Sequence, residues 1–442
     1  MTIKVIVGKK GQLMMLNMDK LFHNLSLCLF NKSALLACLL ASFMVASNHA
    51  IAAGVTPYTG KKLTQASELA QNDHLDKAIK VLTSYDPKAD YDKAFVNRVL
   101  AIYYWQAEQP KSSISALRAA VALKALEPKV QWQANRMLAD ILYSEQDFSH
   151  SAKEYRNTLA IKYTPSAADK TQFKKDSNEV YFRLAAAYYQ QQQWAQVRSA
   201  VIKYQAPDAK KRLQALRMQV IAELRLKQWG NAEGTLSNLI RLEPNNKAWW
   251  QQQISTQLQQ HKNQSALETY SLAKKQNLEF SANDYKSLSQ LYAQNKIPER
   301  GARILQEMFK AYPETKTIDN QKTQAYYYQM AREWPQAMAS WEALAKRDAE
   351  YYWPLTQLYI QQKQYTKARQ VIDKAQPYAK KSEFSLAKIQ LLYRLEKYND
   401  ALAEAKRLNE VQPSDSAQTW IVFLNNKLQN QQPEPSQDGM TS

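Results

Sequence analysis

Cysteine and glycine are both scarce: two and eight respectively in 442 residues. Cys28 and Cys38 fall within the first fifty or so residues, ahead of all the periodic sequence, so the remainder of the chain has no disulfide framework and no thiol chemistry. Few glycines argue against folds that depend on many tight turns or on phosphate-cradling loops. No G-x-S-x-G, G-x-x-x-x-G-K-S/T or G-x-G-x-x-G string occurs, so the usual hydrolase, nucleotide and dinucleotide fingerprints are missing. Of five histidines, His74, His150 and His261 lie outside the leading segment, each in a different part of the chain and without a nearby ligand partner. No metal or histidine-dependent catalytic site is expected from that scatter, and no cofactor. Carboxylate pairs such as Glu307 and Glu314 read as solvated charge. An opposed pair in a cleft is not excluded by sequence, which keeps a helical cell-wall lytic enzyme as the weakest alternative.

Long apolar runs are also lacking. The one run, 34–47, is shorter than the roughly 20 residues that cross a bilayer as a helix. Lysines at 4, 9, 10, 20 and 32 precede it and Ala50-Ile51-Ala52 comes after it, which predicts a cleavable secretory signal over 1–52, cut after Ala52 or Ala53. Leu35-Leu36-Ala37-Cys38 has a slight likeness to a lipid-attachment box, but the apolar run continues past Cys38. The expected product is periplasmic, with no integral membrane span after cleavage. Removing five lysines and Asp19 lowers the net charge from +19 to about +15. For an exported protein, such a basic surface favours acidic protein segments, anionic lipid or cell-wall polymer over nucleic acid.

What is abundant is helix-forming stock: Ala, Gln, Leu and Lys. Within it a pattern recurs in which an aromatic is followed at +3 by a small residue and then by apolar residues at +4 and +7 from that one. Trp229/Ala232/Leu236/Leu239 and Trp334/Ala337/Trp341/Leu344 are two of four clear cases. The small position runs Ala78, Ser113, Ser151, Val197, Ala232, Ala266, Gly301, Ala337, Ala368, Ala401, with a period near 34 and one step of 46. Pro244, Pro313 and Pro413 stand twelve residues past it in three units, where proline stops a helix. This period predicts an all-α, tetratricopeptide-type (TPR) superhelical solenoid of about ten helix-turn-helix units over 58–413. The small residue lets two helices cross closely, and stacking supplies the core that no unit has alone. The long step places an insertion near 164–177, read as a loop or helix extension. Residues 414–428 read as a C-terminal capping helix and 429–442 as a disordered tail.

In such an array the first helices line a concave face, and the residue fifteen before the small position points into it. Arg136, Arg217, Lys286 and Lys322 stand there as a basic seam. Asn97, Phe182 and Gln251 join them as candidate groove residues, with Trp105, Tyr143, Tyr189 and Tyr326 nearby. Cations beside aromatic and amide groups suit an extended acidic or proline-bearing peptide, or its terminal carboxylate.

Several strings go beyond the generic repeat: YYWQ at 103–106, RMLADIL at 136–142, LEPNNKAWWQ at 242–251, ALETYSLAK at 266–274, LYAQNKIPERGARIL at 291–305 and REWPQAMASW at 332–341. Together they make the chain resemble the periplasmic TPR proteins associated with TonB/ExbB/ExbD energy-transduction systems. The resemblance implies an accessory adaptor, without catalytic residues, supporting TonB-dependent import of iron carriers through contact with the transducing complex. The lysine-bearing insertion at 164–177 departs from that pattern. Composition and spacing alone imply an exported scaffold, which leaves outer-membrane or cell-wall assembly as the other binding role.

Overall fold

The structure is a computed structural model and describes residues 54–430. The expected signal over 1–52 and, of the tail expected over 429–442, residues 431–442 lie outside those residues, while Gln429 still belongs to the last helix. The chain divides into two compact units, 1–260 and 261–442. Among the described residues there is no strand, and no helix is long and apolar enough to cross a membrane.

The first unit holds α1 (Pro57–Gln71), α2 (Leu75–Thr83), α3 (Asp90–Gln106), α4 (Pro110–Ala122), α5 (Pro128–Ser144), α6 (Phe148–Ala160), α7 (Lys170–Gln190), α8 (Trp194–Lys203), α9 (Ala209–Arg225), α10 (Trp229–Leu242) and α11 (Lys247–Gln259). The second holds α12 (Asn263–Lys275), α13 (Ala282–Gln294), α14 (Pro298–Ala311), α15 (Ile318–Met330), α16 (Trp334–Ala345), α17 (Tyr352–Gln361), α18 (Tyr365–Ala375), α19 (Lys381–Arg394), α20 (Tyr398–Val411) and α21 (Asp415–Gln429). Within each unit every helix packs against its neighbours in the chain. This is a solenoid of helix-turn-helix repeats.

The packing follows from the small position. Ala78, Ser113, Ser151, Val197, Ala232, Ala266, Ala337, Ala368 and Ala401 are all 0 % exposed, and Gly301 is buried. Twelve residues earlier, on the first helix of the same pair, stands a second buried residue that is small or β-branched. It is Ala66, Ala101, Ala139, Ala185, Val220, Ser289, Ala325, Thr356 or Ile389 in the nine pairs lying wholly within one unit. Where one member is serine, its hydroxyl closes the crossing. Ser113 Oγ donates to the Ala101 carbonyl at 2.7 Å, Ser151 Oγ to Ala139 at 2.8 Å, and Ser289 Oγ to Gly301 at 2.7 Å. An added Cβ on Gly301 would lie 2.8 Å from the Ser289 carbonyl oxygen, so this crossing admits no side chain.

The turns correct the inference drawn from scarce glycine. Five residues before each small position, Asp73, Glu108, Gln146, Gln192, Lys227, His261, Lys296, Arg332, Lys363 and Glu396 have φ of 54° to 64°. In the pairs within one unit the next N–H reaches the carbonyl five residues back, as Gln109 N to Tyr104 O at 2.8 Å and Gln228 N to Glu223 O at 2.8 Å. That bond is the Schellman closure of the first helix, and glycine would be its cheapest occupant. Non-glycine residues hold the left-handed conformation because the crossing just beyond it fixes both helices.

Two expectations about the ends and the insertion take definite form. The excess residues of the long step are mostly helix: α7 begins at Lys170 and runs for 21 residues, with 161–169 as the connection. α21 buries Ala417 and Leu424 against the preceding repeat but leaves Val422 at 50 % and Phe423 at 44 % exposure, so it caps the array only on one side. Val422 stands one repeat on from the buried crossing residue Ile389, and α21 has no second helix among the described residues to cover it.

Thermal melts should separate these features. Gly301→Ala is expected to destabilise by about 1–3 kcal/mol through overpacking at the crossing. Lys227→Gly is expected to stabilise by up to about 1 kcal/mol by relieving its left-handed strain. An unchanged melting temperature for both variants would contradict this account of the repeat.

Candidate partner-binding surface

The basic seam divides once its partners are located. On α5, Arg136 Nη1 lies 2.8 Å from Asp176, and its Nε is 3.8 Å from Asp140. Asp176 belongs to the inserted turns of α7, which fold back onto α5. Lys129 meets Asp169 at 2.9 Å, and Phe173 packs edge-on against Trp132 at 5.5 Å. The insertion is therefore bound to the face that Arg136 was expected to offer. Asp140 is buried and is shared with Arg183 at 2.7 Å and with the Tyr155 hydroxyl at 2.5 Å. Burial favours loss of the Arg183 charge, but Asp140, Tyr155 and Glu179 outweigh it and hold the guanidinium firmly protonated. Burial and the Asp140 charge push the Tyr155 hydroxyl well above its ordinary range.

Arg217 is engaged in the same way. Its Nη2 lies 2.7 Å from Glu243, which also accepts from Trp249 Nε1 at 2.7 Å and Asn246 Nδ2 at 3.3 Å. Burial raises the Glu243 carboxyl, yet these donors together hold it below the usual carboxylate range. Phe182 is not a groove residue: it is 2 % exposed, its ring tilted against that of Tyr204 at 5.0 Å with Lys211 above it. Gln251 is half-buried and is not free of contacts.

The predicted aromatics serve the turns. Tyr143 meets Phe148 at 5.1 Å and Tyr189 meets Trp194 at 5.5 Å, each pairing the last turn of a first helix with the first residue of the second. Trp105 occupies the same place on α3 and lies in the core of the first unit. These aromatics brace the repeat and present little surface to a partner.

Asn97 also stands corrected. Its amide donates to the Lys93 carbonyl of its own helix at 2.9 Å, and the residue fifteen before Ser113 is Arg98. Sequence reasoning had the signal for Arg98 in the spacing and passed over it by one residue. In the second unit the candidates are accessible: Lys286 and Lys322 are exposed or partly so, and Tyr326 is 47 % exposed with Met330 one turn further along α15. Lys322 Nζ lies 5.6 Å from the centre of the Tyr351 ring, in a neighbourhood shared with Asp319, Asp348 and Glu350. Hydrogen bonding to Glu350, burial and those charges push Tyr351 up to about 12. No cluster of three or more potential metal ligands occurs among the described residues.

The helix pairs, their buried small crossings and their period define a TPR-type repeat fold. No family model and no curated protein matches the sequence. Among solved structures 273 chains match. The Naa15/Naa10 complex bound to HypK-THB matches with 14 % identity over 90 % of this chain and a TM-score of 0.37, the match covering 65 % of that chain. A TPR-repeat protein from Cytophaga hutchinsonii matches through its C-terminal part, with 15 % identity, 65 % and 95 % coverage and a TM-score of 0.31. A tetratricopeptide repeat protein from Parabacteroides merdae matches with 12 % identity, 57 % and 100 % coverage and a TM-score of 0.29. No residue role is carried over from any of them.

Charge reversal should expose the division in the seam. Arg217→Glu is expected to cost about 2 kcal/mol by leaving Glu243 without its charged donor, while Lys286→Glu leaves the melting temperature unchanged. Because the folded Glu243 carboxyl is depressed, its contribution is present above its unfolded value near 4.5 and lost as pH falls through the lower folded value. Glu243→Gln should therefore flatten the acid side of the stability–pH curve, and an unchanged slope would contradict the assignment.

Proposed function

We propose that this protein is an exported, non-catalytic adaptor of the periplasm that binds protein partners. The observation that carries the reading is the repeat array itself: a scaffold whose first helices keep Lys286, Lys322, Tyr326 and Met330 accessible while its histidines and most carboxylates are dispersed. A repeated surface of this kind suits extended partner segments, with alternating apolar and charged contacts along successive helices. The finer reading is that the partners belong to a TonB/ExbB/ExbD system and that the adaptor supports uptake of iron carriers. It is supported by the resemblance of the strings at 247–251 and 295–301, which lie outside the repeat consensus.

The test is capture of the periplasmic domain of TonB or ExbD by the immobilised, purified chain, together with growth of a deletion strain on siderophore-bound iron. Capture and slowed growth are expected. Normal growth with no capture would sink the transport role, and recovery of peptidoglycan or outer-membrane assembly proteins would favour the assembly scaffold instead. Release of muropeptides from purified sacculi by the chain would overturn the non-catalytic reading.

A further inference from the structure

The inserted turns of α7 face two ways. Their inward side is committed to the protein: Phe173 packs edge-on against Trp132 at 5.5 Å and Tyr163 at 5.0 Å, while Asp169 meets Lys129 at 2.9 Å and Asp176 meets Arg136 at 2.8 Å. Their outward side carries Lys170, Lys174 and Lys175, all exposed. Among the described residues no ion pair reaches any of the three. The insertion thus turns both of its acids inward and keeps its lysines outside. Lys170 and Lys174 are like charges one turn apart, an arrangement that costs a helix stability.

The start of α9 is fastened beside this side of α7. Asn178 Nδ2 donates to the Gln205 carbonyl at 2.5 Å, and Gln205 N donates to Asn178 Oδ1 at 2.6 Å. These two bonds tie the loop between α8 and α9 to α7 one turn past Lys174. The loop leads into Lys210 and Arg212, which are exposed and likewise without an ion pair among the described residues. The other acids of the neighbourhood are taken. Asp208 accepts from the Lys211 N–H at 2.7 Å, and Glu179 lies 3.5 Å from Arg183 and 3.8 Å from Lys211. Ile202, three residues before the Gln205 tie, is 54 % exposed.

We propose that this edge of the first unit lies on a membrane surface containing anionic phospholipids, its cations meeting lipid phosphates and Ile202 entering the interface. Four of the five free cations are lysines, hydrated point charges that suit a diffuse sheet of phosphates, whereas the guanidiniums of Arg136 and Arg183 are committed inward. Lysine clusters gain affinity for such a surface roughly in proportion to their number, and an exposed apolar side chain adds to it. The assignment goes beyond the adaptor reading and uses only the exported one, which puts a bilayer within reach.

The test is flotation of the purified mature chain with vesicles of phosphatidylglycerol and phosphatidylethanolamine, against uncharged vesicles of phosphatidylcholine and phosphatidylethanolamine. Binding is expected to the anionic vesicles and should fall as salt is raised. Lys174→Gln with Lys175→Gln should weaken it about twentyfold, roughly fivefold for each cation removed. Ile202→Ser should weaken it about fivefold through lost apolar contact. Lys111→Gln, at an exposed lysine beside the turn within a repeat, should leave it nearly unchanged. None of these variants should lower the melting temperature, since each alters an exposed side chain without an ion pair. Equal binding to both kinds of vesicle overturns the assignment, as does equal binding by the wild type and the double lysine variant. Binding of a labelled polyglutamate by a chain that ignores anionic vesicles overturns it in favour of an acidic protein segment. Capture of a periplasmic partner without vesicle binding removes the membrane edge alone, while vesicle binding without any partner supports the edge and fails the adaptor reading.

Discussion

The close crossing of two helices at a buried small residue is the constraint on which the rest depends. With Ala, Ser, Gly or Val on the second helix and a compact residue twelve positions earlier on the first, the helix axes approach until backbone and side chain touch, as Gly301 does Ser289. That approach fixes the turn. It requires a tight connection with a left-handed residue five positions before the crossing, and residues as unsuited as Lys227 and Glu396 adopt it. The aromatic pairs Tyr143–Phe148, Tyr189–Trp194 and Tyr393–Tyr398 then fill the wedge between the helices next to the turn.

The same geometry sets what remains for binding. Because each first helix lies beside the end of its own second helix and the elements of the next repeat, a long cation on it meets whatever that neighbourhood contributes. Where it contributes a carboxylate, as at Asp176 and Glu243, the cation becomes part of the internal framework. The insertion before α7 extends this by bringing Asp169, Phe173 and Asp176 onto α5 together. Where no carboxylate arrives among the described residues, as at Lys286, the charge stays exposed. A repeat array with one regular register thus carries cations of two kinds, structural and available.

The architecture was legible in the chain because its signal is periodic. The ten small residues repeat strictly enough to be found by counting, and Pro244, Pro313 and Pro413 each fall two residues past the end of a helix. The partner residue twelve positions earlier was not legible, since Ala, Val, Ile, Ser and Thr all satisfy it. Nor could the candidate groove be sorted. Trp105, Tyr143 and Tyr189 carry the same sequence signal whether they face a partner or brace a turn, and Phe182 shares the register of Arg136 and Arg217 yet lies in the core.

By itself, then, the sequence determined the helical period, the crossing residues and the repeat boundaries, because these depend on side-chain size and helix-breaking residues close in the chain. Only the tertiary structure decided which cations are held and which are open. Arg136 and Asp176 are 40 residues apart, and Arg217 and Glu243 are 26 apart. An ion pair across such a separation depends on how helices pack within and between repeats, and no local pattern of residues encodes that.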